Sequence, residues 1–352
     1  MAFFLLILLL IICYRLTFSG RGRFHEGYLC KENTTAVNGV FVFLIVLSHY
    51  AQYADLSGPY DAPYLALREH LGQMVVVTFL FYSGYGMMES IRNKGETYIK
   101  KILSKFWQLL LRFDVAVLLF LCLNKLLGIE YTMKDTLLAF TTWTAIGNSN
   151  WYITAILVIY IIMFVSFGSA CKLSADKWST IGVILTLILT AAWVWFMMKI
   201  DMPSRYYNTI IMAPVGMLYS KYKEPVEKLV MKNDIIYLLT AAIMLGTYLL
   251  AFFRLKDRGI EGYTVWAIAF MSLILLFTMK VRVYNKLLEW LGTHIFSIYI
   301  LQRIPMIILD HFGCIEAHKY ISLVAVFALT IPLALVFEKL TDLIIKGITP
   351  KR

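Results

Sequence analysis

The stretch Val37-Asn38-Gly39-Val40-Phe41-Val42-Phe43-Leu44-Ile45-Val46-Leu47-Ser48-His49 decides how this chain is read. It is apolar except for Asn38 near its start and Ser48-His49 at its end, and runs of the same kind recur from Met1 to Leu340. Hydrophobic residues make up 60% of the chain and aromatics 15%. That balance lies outside the range of soluble globular domains and marks a polytopic membrane protein. An ionisable side chain in such a segment is costly to bury, so His49 is a functional candidate by position alone.

A helix needs roughly 17–25 apolar residues to cross a bilayer. Working outward from residues 37–53, the sequence offers further spans at 1–16, 71–90, 107–125, 152–170, 178–198, 206–221, 235–253, 262–279, 287–309 and 320–341. The expected fold is therefore all-α: a polytopic helical bundle of about eleven transmembrane helices. It forms a single membrane domain over 1–352. A weaker apolar stretch at 136–146 is too short to cross and reads as interfacial or re-entrant. Residues 1–16 carry no basic leader and no small-residue cleavage site, so they read as a helix rather than a signal peptide.

The net charge of +11 is not spread evenly. Lys and Arg gather in alternate connections, at 15–36, 91–106, 171–177, 222–234, 280–286 and the carboxyl tail. This is the signature of orientation in a membrane rather than of nucleic-acid binding. It predicts an outside amino terminus and a cytoplasmic carboxyl terminus. The five cysteines are scattered without paired spacing, so neither a disulfide frame nor a metal site is implied. No hydrophilic domain interrupts the spans, which leaves the bundle and its short loops to carry any chemistry. No internal repeat of the kind found in many transporters is visible.

Several polar residues lie where they could act. A neutral His49, with Ser48 and Tyr50 beside it and Tyr53 one turn on, could take a proton from a hydroxyl. It could equally be a histidine hydrogen-bonded within the bundle or at its interface. Asn38 stands eleven residues earlier, about 16 Å along the axis and close to three turns away, so both occupy one helix face. Two polar groups at two depths suit a tunnel, or a packing amide plus a site. Arg205 opens the seventh span, and Arg303 lies inside the tenth beside Gln302, where a charge should face a cavity or a carboxylate. Glu89 is the best placed intramembrane acid for a cation. His70 and His294 read as interfacial.

Ordered motifs add a resemblance. Asn38, ten residues, then His49 is followed by Phe79-Leu80-Phe81-Tyr82-Ser83-Gly84-Tyr85-Gly86 before a basic loop. Next come Asn150-Trp151-Tyr152-Ile153 with Tyr160, then Tyr207-Asn208 leading to Pro214-Val215-Gly216, and finally Leu291-Gly292-Thr293-His294-Ile295-Phe296-Ser297-Ile298-Tyr299-Ile300-Leu301-Gln302. In this order they resemble the membrane-bound acyltransferase 3 family, which O-acylates extracytoplasmic or surface carbohydrates. The chain departs from the family pattern at Asn38, where a cation is usual, at Gln302, where a histidine is usual, and after Trp151, where many relatives carry Glu. These departures place it in a divergent branch.

The resemblance implies ten family helices in a core over 31–345, preceded by an extra amino-terminal helix and basic loop at 1–30. It implies acetyl-CoA or another acyl-CoA as cytoplasmic donor, and a hydroxyl of a cell-surface or lipid-linked carbohydrate as acceptor. His49, with Asn38, would be catalytic, as general base or acyl relay. Lys100, Lys101 and Lys105 could pair with coenzyme A phosphates, beside Tyr82, Ser83 and Gly84, although a basic inner loop needs no such role. Trp151, Tyr152, Tyr160, Arg205, Asn208, Gln302 and Arg303 would contact substrate. The setting would be the lipid of a bacterial cytoplasmic membrane, with room for a homo-oligomer or a polysaccharide-assembly complex. A transporter or flippase for a saccharide-linked substrate, and an inactive scaffold, are the alternative readings.

Overall fold

The apolar runs are helical in a computed structural model, which describes residues 1–173 and 177–348; residues 174–176 of the expected 171–177 loop, and 349–352 of the tail, lie outside it. The helices are α1 (Ala2–Cys13), α2 (Lys31–Tyr50), α3 (Ala62–Leu71), α4 (Met74–Lys94), α5 (Glu96–Leu126), α6 (Met133–Ala139), α7 (Trp151–Leu173) and α8 (Trp178–Lys199). They continue with α9 (Met212–Val230), α10 (Asp234–Leu250, extended as a π-helical turn to Leu255), α11 (Ile260–Lys280), α12 (Lys286–Thr293), α13 (Ile295–Leu301), α14 (Arg303–His311), α15 (Cys314–Ala317) and α16 (Lys319–Ile348).

Among the described residues, eight helices are long and apolar enough to cross a membrane: α2, α4, α5, α7, α8, α10 with its extension, α11 and α16. A ninth span is formed if α12 and α13–α14, bent by 64° between them, count as one. The protein is a multi-pass helical bundle, but α1 and α9 fall short of the eleven spans expected. The 12 residues of α1 rise only about 18 Å, against a hydrocarbon core of about 30 Å. Helix α9 is apolar in its first half only. Its backbone breaks at Tyr222, and Pro225 and a run of charges from Lys223 to Lys228 follow. The weak stretch at 136–146 is the seven-residue α6 and the irregular chain after it, which does not cross.

Two parallel helix pairs build the centre, each crossing at glycines. A side chain at Gly39 would collide with the Leu288 carbonyl, and one at Gly292 with the Thr35 carbonyl. Likewise Gly84 lies on the Ala213 carbonyl and Gly216 on the Phe81 carbonyl. Small residues let backbones approach this closely where apolar burial alone gives helices no preference for one another. The α2–α12 crossing also sets a register. Ten residues beyond Gly39 and Gly292, it brings His49 opposite Gln302.

The two ends of the bundle differ. At the basic end Thr17–Phe18 pairs with Val281–Arg282, Lys280 bonds Asp234 at 2.6 Å, and Tyr28 meets Tyr219 at 2.6 Å. At the other end Asp61 gathers the Lys319 ammonium at 2.8 Å, the Met1 amino group at 2.9 Å and the Tyr320 hydroxyl at 3.0 Å. Burial alone would raise the Asp61 pKa. The hydrogen bonds from Lys319, the amino group and Tyr320 outweigh it and hold the group at about 2.

A candidate active site around His49

His49 occupies the last turn of α2 and is buried, with 5% of its surface exposed. Its Nδ1 lies 2.9 Å from Gln302 Nε2, and that same amide nitrogen lies 3.1 Å from the Tyr299 carbonyl oxygen. A carbonyl only accepts, so the Gln302 nitrogen must face it, and the nitrogen then donates to His49 as well. A neutral ring that accepts at Nδ1 carries its proton on Nε2. Gln302 is fully buried, and its Oε1 has no hydrogen-bond partner. The ring of Tyr299 packs 5.8 Å from the imidazole, and Tyr152 stands edge-on between Tyr299 and Phe79. These rings form an apolar side to the site.

The other side is open. A cavity of about 440 Å³ is walled by Ser48 and His49 from α2, Gly72 and Gln73 ahead of α4, the 145–151 segment leading into α7, and Arg205 and Arg303. Arg303 opens α14 and is held by three neutral acceptors. Its Nε donates to Ser149 Oγ at 2.8 Å, one terminal nitrogen to the Tyr53 hydroxyl at 3.1 Å, and the other to Gln52 Oε1 at 2.7 Å. The irregular 140–150 chain is tied down by hydrogen bonds, as non-helical backbone at this level needs, although the buried Asn148 Nδ2 finds no partner among the described residues. Asn124 donates to the Ile146 carbonyl, Asn150 donates to the Thr142 carbonyl, and the Tyr206 hydroxyl donates to Asn150. Among the described residues no carboxylate lines the cavity, so its two guanidinium groups make it electropositive.

The structure brings together His49, Gln302, Arg303, Arg205 and Trp151, with Tyr152 directly behind Tyr299. It separates Asn38, which lies three turns down α2 with its Oδ1 buried and unpaired. Tyr160 and Asn208 are not in the cavity wall. Gly84 is packed on Ala213, and the hydroxyl of buried Tyr82 has no partner; Ser83 is half-buried beside them.

At the basic end, Lys100 lines a groove of about 460 Å³ with Lys172 and Glu96. Lys105 instead lies over the ring of Tyr98 and donates to its hydroxyl, and Lys101 is exposed outside that groove. Glu89 does accept a cation, Arg92 at 3.1 Å, and takes the Ser220 hydroxyl at 2.6 Å. His294 is paired with Glu338 at 2.6 Å.

Sequence reading missed Gln52, Gln73, Asn148 and Ser149. The polar run Gly147-Asn148-Ser149-Asn150, set directly against an apolar span, was the visible signal for the last two. A family model described as an acyltransferase domain, acyltransferase family 3, matches residues 36–339. The match runs from the first turns of α2 into the last turns of α16 and leaves α1 outside. No curated protein and no solved structure matches the chain.

Proposed function

Because the chain belongs to acyltransferase family 3, we propose that it moves an acetyl or other short acyl group from acyl-CoA to a carbohydrate hydroxyl, with the reaction at His49. The observation that supports this most is the placement of His49, among the described residues the one histidine in the wall of a polar cavity, at the end of a family-matched helix.

In the transfer, the acceptor oxygen bonds the thioester carbonyl carbon, the carbon–sulfur bond breaks, and the hydroxyl proton passes through His49 to the departing thiolate. His49 can act as general base, or as a relay that carries the acyl group on the ring. Either role needs a lone pair on Nε2, the ring nitrogen not engaged by Gln302. A half-turn of the Gln302 amide would present its unpaired Oε1 to an Nδ1–H and free Nε2. It would lose the bond to the Tyr299 carbonyl, about 1 kcal/mol, and set two acceptor oxygens against each other, so the flip needs the Gln302 side chain to shift away from that carbonyl.

We place the donor at the basic end, where Lys100 and Lys172 flank a groove, and assign that end to the cytoplasm from the distribution of Lys and Arg. The acceptor is a surface or lipid-linked saccharide reaching the His49 cavity from the opposite end. The membrane would be a bacterial cytoplasmic membrane. With the full chain in lipid nanodiscs, acetyl-CoA and an oligosaccharide acceptor, acceptor-dependent release of the coenzyme A thiol should fall by about 10²–10⁴-fold in His49→Ala. Release that is equal in the variant would remove His49 from the mechanism.

A further inference from the structure

We infer that the His49 cavity takes an anionic acceptor: a saccharide whose carboxylate or phosphate docks on Arg303 and Arg205 while its hydroxyl reaches His49. The inference rests on the acyltransferase reading for the role of the hydroxyl, but the anion site stands on its own geometry. A guanidinium carries five N–H donors. In Arg303 three are taken by Ser149, Tyr53 and Gln52. One N–H is left on each terminal nitrogen, the pair with which arginine grips an oxyanion. The three partners are all neutral, so they fix the group without cancelling its charge.

Arg205 shares the cavity wall, and its contact is with the ring of its neighbour Tyr206, 5.7 Å from the guanidinium carbon. Among the described residues neither arginine is in an ion pair. Arg112 in α5 is paired with Asp342 at 2.6 Å and Arg92 in α4 with Glu89 at 3.1 Å; what sets Arg303 and Arg205 apart from the other arginines without a carboxylate partner is that they share one cavity wall. Two like charges facing one cavity, with no acid among the described residues of its wall, repel each other and favour an incoming anion. The remaining polar side chains of the wall, among them Ser48, Gln73 and Asn148, are neutral and suited to sugar hydroxyls.

The test is equilibrium binding to the full chain in nanodiscs, with methyl glucuronoside, glucose 1-phosphate, methyl glucoside and coenzyme A as separate probes. We expect the glucuronoside or the sugar phosphate to bind at least about tenfold tighter than the glucoside, as a charge-assisted bidentate pair provides. Whichever of the two gains more identifies the anion as carboxylate or phosphate. Arg303→Gln and Arg205→Gln should each erode that preference while the glucoside affinity holds. Arg303→Lys should keep part of it, which separates lost charge from lost folding.

Equal affinity for the glucoside and both anionic sugars would overturn the inference, as would a preference that survives both substitutions. So would an effect of Arg303→Gln on coenzyme A alone, which would assign the cations to the donor. His49→Ala should leave the preference intact. Acetyl transfer to a neutral acceptor with no anion preference would overturn this inference and leave the acyltransferase reading standing. Anion preference without any acyl transfer would support the site and count against that reading.

Discussion

At the scale of single residues, the proposed chemistry turns on which ring nitrogen of His49 holds the proton. The Gln302 amide, oriented by the Tyr299 carbonyl, sets the resting form as Nε2–H. Gln302→Glu should reverse this, because a carboxylate accepts only and would draw the proton to Nδ1. Nitrogen NMR of labelled His49 should then report the Nδ1–H form in the variant and Nε2–H in the parent. The same tautomer in both would contradict the assignment.

His49 was legible in the sequence because a histidine in an apolar run is conspicuous. The environment of Arg303 was not. Its anchor Ser149 lies 154 residues away on an irregular segment whose course depends on bonds to Asn124 and Tyr206. No local pattern encodes that course.

At the scale of elements, the glycine crossings carry the prediction. Gly84→Ala or Gly39→Ala would force a methyl group into a neighbouring backbone carbonyl. Overpacking of that kind costs about 1–3 kcal/mol. Gly86, in the same helix as Gly84, has open space where its side chain would be. Gly86→Ala should leave stability unchanged or raise it slightly, by up to about 1 kcal/mol. Thermal unfolding in detergent should order the three variants this way, and a Gly84→Ala protein as stable as Gly86→Ala would undo the close-packing account.

The sequence misjudged α1 and α9 for definable reasons. Hydropathy counts apolar residues without registering that α1 stops at Cys13, or that residues 204–211 form a 3-10 turn and irregular chain, so that α9 begins only at Met212. Residues 287–309, read as one span, can be one only as a broken span, because the chain bends by 64° between Thr293 and Ile295 with no proline at the break.

At the scale of the whole molecule, two ends with different charge are held apart by the bundle. The Asp61 cluster closes one of them, joining α1, α3 and α16. Its carboxyl is depressed to about 2 in the fold, below the usual value of about 3.9. The stability it lends is present above about pH 4 and is lost as pH falls through about 2. Asp61→Asn should lower the unfolding temperature at neutral pH and flatten its acid dependence between about pH 4 and 2. An unaltered acid profile would show that the cluster contributes nothing to stability.

At the basic end, Lys100→Glu should raise the KM for acetyl-CoA with a smaller effect on kcat, whereas His49→Ala should act on kcat. The bundle, its membrane class and its family were legible from hydropathy and ordered motifs. The joining of distant loops into one cavity was not, because it depends on helix register rather than on composition.

The most direct measurement follows labelled acetyl from acetyl-CoA into cell-surface polysaccharide, comparing the parent chain with His49→Ala at matched membrane abundance. Label that requires the protein and disappears with His49→Ala is the expected result. Label that persists when the protein is deleted, or that is equal in the variant, would contradict acyl transfer through His49.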